Sequence, residues 1–97
     1  NIMTMESDVR STRRTSSGTI SAGPARLKAV AILAGAAVGT IQFRDGGASG
    51  TILCEIDSPA SVTATVQVLL PANGLRFTTD IYATLTGGAL AVTSFYA

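Results

Sequence analysis

From Ala25 onward, turn-forming residues interrupt the chain at short, regular intervals, at "LAGAA", "DGGASG", "DSPAS", "PANG", "TTD" and "TGG", leaving runs of about five to nine residues between them. No run has the length or the three-to-four spacing of a helix, so the punctuation restricts the chain to short strands closed into a sandwich or barrel. The runs are "ARLKAVAIL", "VGTIQFR", "GTILCEI", "VTATVQVLL", "LRFTT", "IYATLT" and "ALAVTSFYA", seven strands in all, and Thr19 to Ser21 offers an eighth. The expected fold is therefore all-β: an antiparallel, jelly-roll-like β-sandwich of seven to eight strands with an extended N-terminal arm.

Alternation assigns the faces, because successive side chains of a strand point to opposite sides. Ile41 and Phe43 oppose Thr40, Gln42 and Arg44, and Ile52, Cys54 and Ile56 oppose Thr51, Leu53 and Glu55. Val62, Ala64, Val66, Val68 and Leu70 make an inward stripe against Thr63, Thr65 and Gln67, and Leu75 and Phe77 precede a break at Asp80, followed by Ile81, Ala83 and Leu85. Two stretches are apolar on both faces: Val30 to Leu33, and the C-terminal run in which Leu90, Val92 and Tyr96 oppose Ala91 and Phe95. Strands of this kind are covered twice, either centrally in a sandwich or by a subunit interface, and Leu90, Val92 and Tyr96 are the candidates for an interface strand.

A chain of 97 residues forms one small core with a narrow margin over chain entropy. Only 13% of its residues are charged against 46% hydrophobic, about half the usual charge of a soluble domain, which points to a surface partly covered by other subunits. The single cysteine, Cys54, rules out an intramolecular disulfide framework. The longest apolar run, Ala29 to Ile41, falls short of the roughly 20 residues of a membrane-spanning helix, so no membrane partner is expected.

Residues 1–24 differ from the rest: Ser and Thr abound, large apolar side chains are few, and there is no sustained period. They read as an extended arm ahead of a β-sandwich domain over residues 25–97. Residues 1–28 carry five bases, Arg10, Arg13, Arg14, Arg26 and Lys28, against Glu6 and Asp8. Arg10, Arg13 and Arg14 are the candidate partner-binding residues of the arm. The adjacent pair Arg13 and Arg14 fits a solvated or partner-docking segment better than nucleic acid, and Phe95 and Tyr96 are not interleaved with basic residues on one exposed sheet face as a stacking platform needs.

Catalytic equipment is sparse. With no histidine in the chain, Ser–His and Cys–His pairings and histidine metal sites do not arise. "FRDGGASGTILCEI" lacks the Lys-Ser/Thr ending and following helix of a phosphate-binding loop, and its flanks alternate as strands, so it reads as a hairpin with Asp45, Gly46 and Gly47 in the turn. Cys54 reads as a small core side chain, and Asp57 and Asp80 as turn residues. No carboxylate pair or D-x-D spacing marks an acid–base site or a calcium loop. The expectation is a non-enzymatic protein without cofactor or metal.

In the order "RLK" (Arg26 to Lys28), "FRDG" (Phe43 to Gly46), "PANGLRF" (Pro71 to Phe77) and "YATLT" (Tyr82 to Thr86), the chain resembles small virion structural proteins of tailed bacteriophages of the marine and cyanobacterial type. The resemblance covers about residues 25 to 97 and rests on turn and strand patterns. It implies a β-sandwich subunit repeated in a phage particle, assembled in the host cytoplasm, whose partners are the major capsid protein or other virion proteins and copies of itself. A capsid decoration or cement subunit is the first expectation, a ring component of the tail or head-to-tail junction the second. A carbohydrate-binding or adhesion module is the reading from another class, set back by the scarcity of exposed aromatics.

Overall fold

A computed structural model describes residues 9–58, 64–70 and 74–97, with the side chains of Ala36, Ala64 and Leu90 outside that set. Residues 71–73 of the "PANG" turn, most of "DSPAS", the start of the Val62 stripe, and Glu6 and Asp8 accordingly fall outside the described residues. The fold is all-β and antiparallel. Its strands are β1 (Arg10–Arg14), β2 (Gly18–Ser21), β3 (Ala25–Asp45), β4 (Thr51–Ser58), β5 (Ala64–Leu69), β6 (Leu75–Phe77) and β7 (Ile81–Tyr96).

Two long strands carry everything else. β3 and β7 pair from Leu27↔Tyr96 to Arg44↔Tyr82, and the register breaks in the middle, where Ala34 faces Ala89 but Gly39 faces Gly87. At that break both strands fold, dividing the sheet into halves. In the first half, β7 and β3 are flanked by β1 on one side and by β5 and β6 on the other; in the second, by β2 and β4. Strands that bend and pass from one layer to the other are a standard way to corner a sandwich. The shortest dimension, 21 Å, leaves room for two layers about 10 Å apart and no third.

The turns expected at "LAGAA" and "TGG" are therefore this fold, and not reversals of the chain. Small residues sit there because the strands nearly touch: Gly87 has φ +69°, and a side chain on it would come 2.7 Å from the Val38 carbonyl oxygen. Two pairs of expected strands fuse into β3 and β7, and the count returns to seven because the N-terminal segment supplies β1 and β2, both paired on β7.

Inward side chains of both halves meet in one core. Leu27, Val30, Ile32, Phe77, Val92 and Tyr96 come from the first half-sheet, and Ile20, Ile41, Phe43, Ile81 and Ala83 from the second. The expected alternation holds along Ile41 and Phe43, along Ile81 and Ala83, and along β5, where Val66 and Val68 are half-buried between exposed Thr65, Gln67 and Leu69. Ile52 departs from it at 41% exposure. A bulge pairs Phe43 with Cys54 but Arg44 with Ile52, leaving Leu53 unpaired and turning the strand's end outward. Ser94, paired with Val30, is fully buried, and its hydroxyl has no partner among the described residues.

Candidate functional site

The candidate residues of the N-terminal segment divide between intrachain packing and the surface. On β1, Thr12 faces the core: its hydroxyl donates to the Ile20 carbonyl at 3.2 Å and lies 3.0 Å from the Tyr96 hydroxyl, which therefore donates to it. Arg10 shares that side of the strand, its guanidinium 5.0 Å from the centre of the Tyr96 ring, a cation–π contact. Arg14 donates from Nη2 to the Ser17 carbonyl at 3.3 Å and lies against Gly18, fastening the β1–β2 connection. Arg13 alternates to the other side and is exposed. Of the three arginines, Arg13 is the one presented outward on the sheet face.

The face that Arg13 joins is the outer side of the first half-sheet. Arg13, Ala31, Leu33, Thr65, Ala91 and Thr93 line a shallow groove of about 160 Å³ there. A second, of about 200 Å³, is lined in part by Ala29, Gln67, Leu69 and Phe95. Small side chains along β3 and β7 keep the face low, and Leu69 stands from it 82% exposed. Toward the β6 end, Arg26 and Arg76 are register partners and both are exposed, so two positive charges lie directly across the ladder from one another. Of the residues expected on an interface strand, Val92 and Tyr96 are buried in the chain's own core and the side chain of Leu90 is outside the described residues, while the other face of the same strand presents Thr93 and Phe95 half-buried.

The second half-sheet presents a different surface. Glu55 and Asp57 are register partners of Gln42 and Thr40 on its outer face, and both acids are exposed. Thr40 donates to Asp57 Oδ1 at 3.3 Å. Arg44 gives its guanidinium to the Gly50 carbonyl at 3.0 Å and to Gln42 Oε1 at 2.9 Å, which leaves Nε buried without a partner among the described residues.

At one end of this half, two loops are clamped by a reciprocal pair of aspartates, a feature that reading Asp45 and Asp80 singly as turn residues does not reach. Asp45 accepts from the Thr78 N–H and hydroxyl, both at 2.9 Å, and from the N–H groups of Thr79 and Asp80. Asp80 accepts from Gly46 N–H at 2.8 Å and Gly47 N–H at 3.1 Å. The hairpin is as expected, with Gly46 at φ +110° and Gly47 at +83°. The Thr78 N–H first, with the Thr79 and Asp80 N–H groups and the Thr78 hydroxyl, outweighs partial desolvation and lowers the Asp45 pKa to about 2.

A carboxyl lowered on folding stabilises the fold at any pH above its ordinary value of 3.8, and that contribution is lost as pH falls from there through about 2. In urea titrations the chain is expected to weaken across that window, and Asp45→Asn to flatten the dependence while lowering stability near neutrality. An unchanged acid slope in Asp45→Asn would remove the clamp from the account.

The remaining chemistry is slight. Burial raises the pKa of the Cys54 thiol, so near neutrality it is not a thiolate nucleophile. Among the described residues no group of three His, Cys, Asp or Glu side chains is placed to hold a metal ion. The surface features that remain are two sheet faces of opposite charge, one of them apolar at its centre. The chain matches no protein-family model, and neither a curated protein nor a solved structure proved similar to it.

Proposed function

We propose that this chain is a non-enzymatic structural protein of a bacteriophage virion, a capsid decoration or cement subunit that seats on the major capsid lattice. The observation that carries the reading is the outer face of the first half-sheet, low along β3 and β7, with Ala31, Leu33 and Phe95 as its apolar side chains and Arg13, Arg26 and Arg76 at its rim. Such a surface suits a broad contact with another folded protein, with apolar area at its centre and charge at its edge. The order of the "RLK", "FRDG" and "YATLT" segments adds the virion to that reading, and many copies per particle would turn a weak single contact into firm occupancy.

Arg13 is the arm residue assigned to the lattice. Arg13→Glu is expected to strip most of the protein from purified particles, because repulsion replaces attraction at every copy. Arg14→Glu acts instead on the β1–β2 connection and lowers stability. Quantitative staining of particles reads the occupancy, and full occupancy by Arg13→Glu would reject this docking face. The same gel separates a decoration protein, expected in hundreds of copies, from a ring of the tail or junction, expected in about six to twelve from phage symmetry in general. The ring reading draws support from the opposite charges of the two faces.

A further inference from the structure

Charge is sorted along this sheet, with one exception: Arg44, the single described base of the second half-sheet, is half-buried and turned to the Gly50 carbonyl and Gln42 Oε1. All four acids among the described residues, Asp45, Glu55, Asp57 and Asp80, belong to the second half-sheet and its loops. Asp45 and Asp80 are consumed by the loop clamp, which leaves Glu55 and Asp57 exposed on β4. β4 pairs only with β3 among the described strands, and its bulge exposes Leu53 at 39% and Ile52 at 41%. It is an open sheet edge carrying two acids beside two apolar side chains.

The first half-sheet is the complement. Arg26 and Arg76 face one another across the ladder, an arrangement that destabilises a sheet, and no described acid lies on their half-sheet to relieve it. Leu69 stands exposed on the same face.

We propose that copies of this chain associate head to tail, the basic outer face of one first half-sheet, with Arg26, Arg76 and Leu69, seating on β4 of the next copy at Glu55, Asp57 and Leu53. A twofold contact of either face with itself would bring like charges together, which an interface strongly disfavours. The contact is therefore heterologous, and it closes into a ring or continues as a filament according to the rotation between copies. It specifies the self-association that the virion reading assumes, but its test needs no particle, so either can fail alone.

The experiment is sedimentation velocity on the nuclease-treated chain of residues 1–97 at high micromolar concentration, in about 0.05 M and about 1 M salt, between which screening lengths differ several-fold. Association at low salt and its loss at high salt are expected. Arg76→Glu alone should weaken association about tenfold or more while raising the thermal midpoint, since the new carboxylate would face Arg26 across the ladder. A stability gain beside an association loss distinguishes this from misfolding.

Two double variants, Arg26→Glu with Arg76→Glu and Glu55→Arg with Asp57→Arg, should each sediment as monomers and associate when mixed, because each then offers the face the other lacks. A wild-type chain that stays monomeric at low salt would overturn the proposal. So would association that nuclease treatment abolishes, or a mixture that stays monomeric while the separate variants are folded.

Discussion

Replacing Gly39 by alanine is expected to cost about 3 kcal/mol or more, a large part of the stability of a chain this size, although the change adds only a methyl group. The methyl would collide with the backbone nitrogen of Ala89 and lie 2.7 Å from the Thr86 carbonyl oxygen and 2.9 Å from the Gly88 nitrogen. All three are backbone atoms of β7, so relief requires the two central strands to part where both fold. Parting them also strains the 3.1 Å hydrogen bond by which Gly39 N–H donates to the buried Ser58 hydroxyl at the end of β4. Gly23→Ala is the control, since a methyl there meets nothing within 4 Å, and its effect should stay within about 0.5 kcal/mol. Urea midpoints of the two variants check the contrast, and equal midpoints would mean that the close approach at Gly39 is not what sets the fold of the sheet.

Gly39 also shows where sequence reasoning stops. Alternation is a local property, and it identifies the inward residues of β5, of β7 around Ile81 and of β3 around Phe43 correctly, because each pattern is complete within one strand. Glycine and alanine in "LAGAA" and "TGG" carry two meanings, a reversal of the chain or a close approach of two strands. Only the pairing of Gly39 with Gly87, 48 residues apart by subtraction of their numbers, selects the second. Cys54 and Ile56 are legible as core neighbours, whereas Ile52 is not, since the bulge that turns it outward has no local signature. Asp45 and Asp80 each read properly as a turn residue, but their reciprocal capping exists only once the sheet sets the two loops side by side. The excess of bases near the N-terminus is plain from composition. That Arg10 and Arg14 turn to intrachain contacts while Arg13 joins Arg26 and Arg76 on one face requires the register of β1 on β7 and of β6 on β3.

The N-terminal segment carries the other large effect. Its composition resembles that of a free arm, and its only large apolar residue among the strand positions is Ile20, yet Ile20 is 4% exposed and belongs to the core. β1 pairs with β7 over five positions from Arg10↔Tyr96 to Arg14↔Val92, and β2 pairs near Tyr82. A chain beginning at Gly23 would lose both strands, uncover Tyr96 and remove its hydroxyl partner Thr12, and leave the outer edge of β7 open at both ends. Burial of an isoleucine is worth about 1.5–3 kcal/mol, and the lost ladder and side-chain hydrogen bonds contribute about 0.5–1.5 kcal/mol each. Their sum approaches the whole stability of a small domain, about 5 kcal/mol at the low end. The basic face depends on the same pairing, because β1 is what holds Arg13 on it.

The most direct measurement is urea unfolding of residues 23–97 beside the chain of residues 1–97, followed by circular dichroism. If β7 is the spine of one sheet paired on both sides, the shortened chain loses its cooperative transition or shows a midpoint lowered by most of its value. Two superimposable transitions, with equal midpoints and equal slopes, would show that the N-terminal segment is a free arm after all and would contradict the architecture from which both charged faces are derived.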